Sequence, residues 1–158
     1  GGGRDAAEAS KIISDLRTMK SAALMWMTEN PAGDVLEMWD GLNTDPTPLN
    51  KYLDRPLLEG HNFKFVSDGK LVIKELIEKT DPPEYETKTV GTALLLGYKL
   101  GTTEGGTTTF SVRDGVRSNL AKQAKSVGLY GSDEIDVTDP SNPGYYKDTD
   151  DIVYVIVQ

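Results

Sequence analysis

The chain has 158 residues and no cysteine, and its 25 acidic residues outnumber its 17 basic residues to leave a net charge of −8. One domain is the natural expectation for this length, and such a chain can bury a core without disulfides. The missing thiols exclude cysteine-based catalysis, disulfides and thiolate metal sites. Because the chain is acidic, we expect neither nucleic acid nor an anionic membrane surface as its main partner.

Residues 5–30 hold neither glycine nor proline and predict one long helix. Apolar side chains recur at steps of three and four, which places them on one helical face. The members of this stripe are Ala9, Ile12, Ile13, Leu16, Met19, Ala23, Trp26 and Met27. Pro31 ends the helix, because its ring clashes with the preceding turn and it has no N–H to donate. Residues 1–4 are interpreted as a lead-in, which leaves residues 5–158 as a single globular domain.

Residues 31–60 combine turn formers with many apolar side chains, so we expect a loop with short helical turns packed on the first helix. The clearest strand signal follows at Phe63 and Phe65, which alternate with polar residues. Asp68-Gly69 separates this run from a second apolar run, and this dipeptide predicts a tight hairpin turn. The second strand of that hairpin ends at the prolines of residues 81–83.

The sheet region spans residues 61–158. After the hairpin, its sequence predicts three further strands and one helix. Residues 93–100 favour a strand, and residues 107–112 favour a short returning strand. Residues 114–127 predict a helix that Gly128 ends, with a solvated basic face formed by Arg113, Arg117, Lys122 and Lys125. The apolar run 152–157 predicts a strand buried on both faces inside a sheet. The fold class is therefore α+β: a long N-terminal helix packed on an antiparallel sheet of about four strands, with a second short helix.

The acidity of the chain is local. Residues 131–151 hold seven acidic residues and one lysine, which accounts for −6 of the total −8. Turn chemistry explains most of these residues, because Asp-Pro, Asn-Pro-Gly and Asp-Thr-Asp all favour turns. The alternative is a calcium site, since Ca²⁺ takes about six to eight oxygen ligands. The candidate ligands, which do not follow the EF-hand spacing, are Asp136, Asp139, Asp148, Asp150 and Asp151.

Other candidate sites rest on few residues. His61 is the only histidine, so a serine–histidine–aspartate triad would need it, and a histidine-based zinc site would lack further ligands. Hydrolysis by paired carboxylates stays open, because two acids at the right separation suffice. The glycines form neither a phosphate-binding loop nor a dinucleotide fingerprint. Trp26 and Trp39 favour core packing over a sugar-binding surface, whereas Tyr145 and Tyr146, in a polar loop, are the candidates for an exposed contact.

The order of a long helix, a packed loop, an antiparallel sheet and a late acidic loop resembles the globular part of type IV pilins and type II secretion pseudopilins. ISDLRTMKSAALMWMTENP, residues 13–31, is similar to the end of the family's helix. There a Leu-Arg-Thr stretch leads through small residues to an aromatic side chain and an asparagine. VRSNLAKQAKSVGLYGS, residues 116–132, is similar to a stretch of some bacterial prepilin-like proteins.

This resemblance implies a structural subunit without catalysis, which assembles with its own copies or with related pilin subunits into a filament. It implies a processed, methylated N-terminus and an apolar segment of about 20 residues that continues the helix and anchors the subunit in the inner membrane before assembly. The protein would then be found at the bacterial cell surface or in the periplasm. Secretion pseudopilins hold calcium in a late loop, and residues 133–151 are the analogous stretch.

Two alternatives remain beside the filament subunit. The first is a minor pilin or adhesin-like binding module, which contacts sugar or protein through its loops. The second is a small hydrolase that depends on paired carboxylates.

Overall fold

A computed structural model of the chain describes residues 2–30, 32–55 and 62–158. Its helices and strands confirm the predicted α+β class. The helices are α1 (Gly2–Thr28), α2 (Ala32–Gly41), a 3₁₀-helix (Thr47–Tyr52) and α3 (Asp114–Val127). The strands are β1 (Phe63–Glu78), β2 (Glu84–Lys99), β3 (Gly101–Glu104), β4 (Thr107–Phe110), β5 (Glu134–Asp136) and β6 (Ile152–Ile156).

The main sheet has four strands in the order β5-β1-β2-β6. β2 runs antiparallel to both β1 and β6, and the short β5 runs parallel to β1. β3 and β4 form a separate antiparallel ribbon. Among the described residues, no helix combines the length and apolar character needed to cross a membrane.

Helix α1 covers one face of the sheet and confirms the predicted long helix. It begins at Gly2, so residues 2–4, which the sequence assigned to a lead-in, are helical. Seven of the eight residues of the predicted stripe are buried, from Ala9 at 0% exposure to Trp26 at 3%, and Met27 is half-buried. The Trp39 ring of α2 packs 6.2 Å from the Trp26 ring and 5.3 Å from the Phe65 ring. The described part of the segment after α1 therefore packs on it as predicted, although α2 is a full helix and not a single turn, and residues 31 and 56–60 lie outside the described residues.

The predicted hairpin turn at Asp68-Gly69 is wrong, because β1 continues through this dipeptide to Glu78. The register with β2 shifts between Val66 and Gly69, which marks a β-bulge. A side chain at Gly69 would place its Cβ 2.6 Å from Leu95 Cγ. The glycine thus permits a close strand approach, and the hairpin turns instead at residues 79–83.

Strand β6 confirms one part of its prediction and corrects another. Val153 and Val155 belong to the main core, and Tyr154 belongs to a smaller cluster on the other face, so both faces are buried. β6 is nevertheless an edge strand of the sheet and not an inner one. At its outer edge an isolated bridge pairs Tyr154 with Tyr130, which satisfies the backbone groups that this residue would otherwise leave open.

Helix α3 and the strands before it have the predicted identities. Residues 93–100 lie almost entirely within the longer β2, and residues 107–110 return as β4. Gly128 follows α3 with a φ of 86°, in the left-handed region where glycine carries no steric penalty. The backbone N–H groups of Gly128 and Leu129 both donate to Ala124 O, at 2.9 Å.

Candidate functional site

The candidate site is residues 131–151, called the acidic segment below. It begins after Tyr130, contributes β5 to the main sheet beside β1, and ends at β6. Two backbone hydrogen bonds of 2.8 Å join Tyr130 and Tyr154 in both directions. Further bonds close the neck of the segment, from Gly131 N to Gly144 O at 3.0 Å and from Tyr146 N to Leu129 O at 2.9 Å. The acidic segment is therefore fixed at its base by the ladder of the sheet.

Tyr146 fastens the returning part of the acidic segment to the core. Its side chain is 2% exposed, and its hydroxyl donates to Asp150 O at 3.0 Å. Burial raises the pKa of this phenol, so it stays protonated and keeps its role as a donor. The prediction that Tyr146 is a surface contact is wrong, because the aromatic ring fills the core beneath the polar loop.

Asp150 forms a second internal fastening. Its Oδ2 accepts from the backbone N–H of Lys147 at 2.8 Å. The same carboxylate lies over Gly131, where an added Cβ would come 2.0 Å from Oδ2. Burial raises the pKa of Asp150 despite that hydrogen bond, because desolvation disfavours the charged form.

Arg117 links the acidic segment to α3. Its Nη1 donates to Asp148 O in a short hydrogen bond, and its Nε donates to Val112 O at 3.0 Å. The guanidinium lies 3.6 Å over the Phe110 ring, a cation–π arrangement. The guanidinium of Arg117 thus places a positive charge directly beside the acidic segment.

The prediction of a solvated basic face on α3 is therefore wrong for Arg117, whereas Arg113, Lys122 and Lys125 are exposed as predicted. Arg117 is half-buried, and Arg113 bonds to Asp5 and Glu8 of α1, each at 2.7 Å. Sequence reasoning missed Arg117 as a site residue. The available signal was its place beside Val116, at the border of the apolar stripe, where arginine can bury its stem and still donate.

Asp136 and Asp139 act as turn formers. Asp136 Oδ1 accepts from Thr138 N at 2.8 Å, and Asp139 Oδ1 accepts from Ser141 N at 3.0 Å and from Ser141 Oγ at 2.6 Å. These hydrogen bonds lower the pKa of both carboxyls, because they stabilise the charged form. Lys74 Nζ lies 3.8 Å from Asp136 Oδ2.

The other predicted calcium ligands, Asp148, Asp150 and Asp151, lie at the end of the acidic segment beside β6. Asp151 Oδ2 accepts from Thr103 Oγ1 at 2.8 Å. The carbonyls of all three aspartates accept hydrogen bonds from protein donors. Among the residues that the structure describes, no three acidic or histidine side chains converge to hold a metal ion. The calcium site stays a prediction of the sequence.

The aromatic candidates divide by burial. Trp26 and Trp39 are core residues at 3% and 0% exposure, which fits the packing role favoured by the sequence. Tyr145 is half-buried, and its ring stacks on Tyr130 with the centroids 5.7 Å apart. Tyr145 therefore keeps one accessible side on a rigid aromatic support at the neck of the acidic segment.

The described grooves offer little to hydrolysis by paired carboxylates. One groove of about 240 Å³ lies between α1, α3 and β6, and its charged lining residues are Arg17 and Lys20. Two larger, open grooves contain one carboxylate each, from Asp151 and Glu104. His61, the candidate for a triad, lies outside the described residues.

Comparison of the chain with protein-family models, with curated proteins and with solved structures found no significant match.

Proposed function

We propose that this chain is the globular part of a type IV pilin or type II secretion pseudopilin, a structural subunit that works by filament assembly and not by catalysis. Its natural form would carry an apolar extension of α1, held in the inner membrane until assembly. In the filament these extensions would pack together, and the globular part would supply lateral contacts and surface character at the cell surface or in the periplasm.

The observation that carries this proposal is the way α1 lies on the sheet. The helix has 27 residues, about 40 Å at the helical rise, and its buried stripe runs without interruption from Ala9 to Trp26. A single helix buried from Ala9 to Trp26 against the sheet, α3 and the 3₁₀-helix is suited to connecting a packed helical core with an outer domain. The resemblance of residues 13–31 to the end of a pilin helix supports the same function.

The N-terminal end of α1 is fixed to the globular part as well. Arg113 Nη2 lies 2.7 Å from Asp5 Oδ1 and 2.7 Å from Glu8 Oε2. The hydrogen bond from Arg113 lowers the pKa of Asp5, so the carboxylate stays charged at neutral pH. This link suits a subunit whose helix transmits force between a filament core and the domain.

Mass spectrometry of the native N-terminal peptide, from cell-surface and membrane fractions, tests the proposal. We expect a processed, methylated N-terminus followed by about 20 apolar residues that run into residue 5. A mature chain that starts near Arg4 after a cleaved secretory signal would contradict assembly by this route, and so would a chain with no targeting signal.

A binding module, such as a minor pilin or adhesin, is the second candidate. The stacked pair of Tyr130 and Tyr145 favours it, because a half-buried aromatic ring on a rigid support suits a sugar or protein contact. Tyr145→Ala should then abolish ligand binding and leave filament assembly intact. If the variant keeps both ligand binding and filament assembly, this candidate has no support.

A further inference from the structure

The outer part of the β1–β2 hairpin, residues 73–78 and 84–90, extends beyond the core and is called the arm below. Residues 74–78 and 84–90 are all exposed. Four apolar side chains are included: Leu76 at 45%, Ile77 at 55%, Tyr85 at 57% and Val90 at 54% exposure. Two-stranded hairpins are only marginally stable in water without further packing. The arm is therefore a strand pair, with register shifts at Val90 and Ile77, that no layer of the described residues covers.

The arm also has an open strand edge. β6 pairs with β2 only from Leu95 to Lys99, and Leu94 bonds to Val157 and Gln158. Among the described residues, no strand pairs with that edge of β2 between residues 84 and 93. An open edge presents unpaired N–H and C=O groups that can accept another strand.

We propose that β2 of a second copy of this chain adds to this edge, antiparallel and about a two-fold axis at Thr87. This alignment places Glu86 of each copy opposite Lys88 of the other. It also places Tyr85 opposite Thr89 of the second copy, an aromatic–β-branched pair of the kind that stabilises sheets. The two-fold axis makes every favourable pair occur twice.

The charges of β2 select this register. Moving the axis to Glu86 would set the two copies of Glu86 opposite each other, and moving it to Lys88 would do the same for the lysines. Like charges directly opposite destabilise strand pairing. Among these three positions of the axis, only Thr87 places Glu86 opposite Lys88 of the second copy and Lys88 opposite Glu86 of the second copy.

The single chain leaves a charge conflict that a second copy would relieve. Glu75 of β1 lies opposite Glu86 of β2 in the register, which sets two carboxylates side by side on one face. Lys88 Nζ lies 3.5 Å from Glu75 Oε2 and leaves Glu86 without a salt bridge among the described residues. Lys88 of the second copy would supply the missing cation.

The open edge is also long enough. With the axis at Thr87, residues 85–89 of each copy lie along one another. Glu84 then lies opposite Val90, the extra residue of β2 at the register shift beside Leu71 and Val72, and the turn of the second copy, residues 81–83, reaches residues 91–93. Leu94 comes next, where the bonds to Val157 and Gln158 begin. The pairing therefore ends where the edge is already occupied. It depends only on the arm, so it holds or fails independently of filament assembly.

Sedimentation equilibrium or light scattering over a concentration series tests the proposal. The wild-type chain should dimerise, and Glu86→Lys or Lys88→Glu should each weaken the dimer by about tenfold or more, because each creates two like-charge pairs. An equimolar mixture of these two variants should form a heterodimer with opposite charges at both sites. The double variant Glu86→Lys with Lys88→Glu should dimerise again.

Glu78→Lys and Lys79→Glu are the matched controls. They make the same changes of charge at the other strand and at the turn, away from the open edge of β2, and should leave the dimer unchanged. A wild-type chain that stays monomeric to about millimolar concentration would overturn the proposal. A dimer that the controls weaken equally, or that neither the mixture nor the double variant restores, would overturn it too.

Discussion

The acidic segment and the arm are two charged regions of the same sheet, and they differ in strand pairing and in attachment to the core. The arm keeps strand pairing to its end, with two register shifts, yet its residues from 74 to 78 are all exposed. The acidic segment is mostly irregular, but it carries Tyr146 at 2% exposure and is bonded to its neighbours at several points. Strand pairing and firm attachment to the core are thus separate properties.

The difference follows from where apolar groups are placed. Both regions contain a tyrosine, but Tyr146 is buried in the core and Tyr85 is 57% exposed. Burial of one large aromatic side chain contributes more free energy than several exposed hydrogen bonds, whose net value is small because water competes for them. The following experiments test this contrast.

The largest expected effect is on the buried tyrosine. Tyr146→Ala should lower the free energy of unfolding by about 3–5 kcal/mol, as for other large aromatic truncations in a core. The matched control is Tyr85→Ala, which should change it by less than about 0.5 kcal/mol below the concentration of self-association. Urea denaturation of both variants measures the contrast. Equal effects would show that the acidic segment is no better attached than the arm.

Adding calcium and measuring the stability of the protein tests whether a metal ion strengthens the attachment of the acidic segment. If the predicted ligands around Asp148 and Asp151 bind it, calcium at 100 times its dissociation constant should add about 2.7 kcal/mol of stability. Thermal melting in excess calcium and in chelator measures this. Identical melting temperatures would contradict the metal site. Arg117 would then be the cation that binds the acidic segment at Asp148.

Arg117 should matter more than the other basic residues of α3. Arg117→Met keeps much of the apolar stem but leaves the carbonyls of Val112 and Asp148 without their donors. We expect a loss of about 2 kcal/mol, because a hydrogen bond to a charged group contributes about 1.5–3 kcal/mol. The control, Lys122→Met, changes an exposed lysine of the same helix and should have little effect in the same denaturation experiment.

The smallest expected effects are pH-dependent changes in stability. They should have opposite signs for two aspartates of the acidic segment, Asp150 and Asp136. Burial raises the pKa of Asp150, so its charged form is disfavoured in the fold. Asp150→Asn should therefore stabilise the protein at neutral pH, and this gain should vanish as the pH falls and Asp150 takes up its proton. The hydrogen bond from Thr138 lowers the pKa of Asp136. Asp136→Asn should destabilise at neutral pH, and that loss should vanish as the pH falls through the lowered pKa.

Denaturation of these two variants is followed from pH 7 to about pH 2, because the transition of Asp136 lies below the ordinary aspartate pKa of about 3.9. Changes of the same sign at neutral pH would contradict the different surroundings of the two carboxyls.

Local signals in the sequence predicted much of the fold. The stripe of α1, the glycine after α3 and the apolar run of β6 each depend on periodicity or on one backbone conformation, and all three have the predicted secondary structure. Asp68-Gly69 misled the prediction, because the same dipeptide suits a hairpin turn and a bulge. The choice between them was made by a distant contact, the Leu95 side chain beside Gly69.

For the candidate site, the sequence by itself located the acidic segment and determined its turn chemistry, because Asp-x-Ser and Asp-x-Thr patterns bond within a few residues. Only the tertiary structure decided that Tyr146 is buried, that Arg117 holds the segment and that β6 lies at a sheet edge. These outcomes depend on residues far apart in the chain, such as Arg117 and Asp148. Patterns within a short window carry no information about such partners, whose positions are set by the packing of α3 against α1 and the sheet.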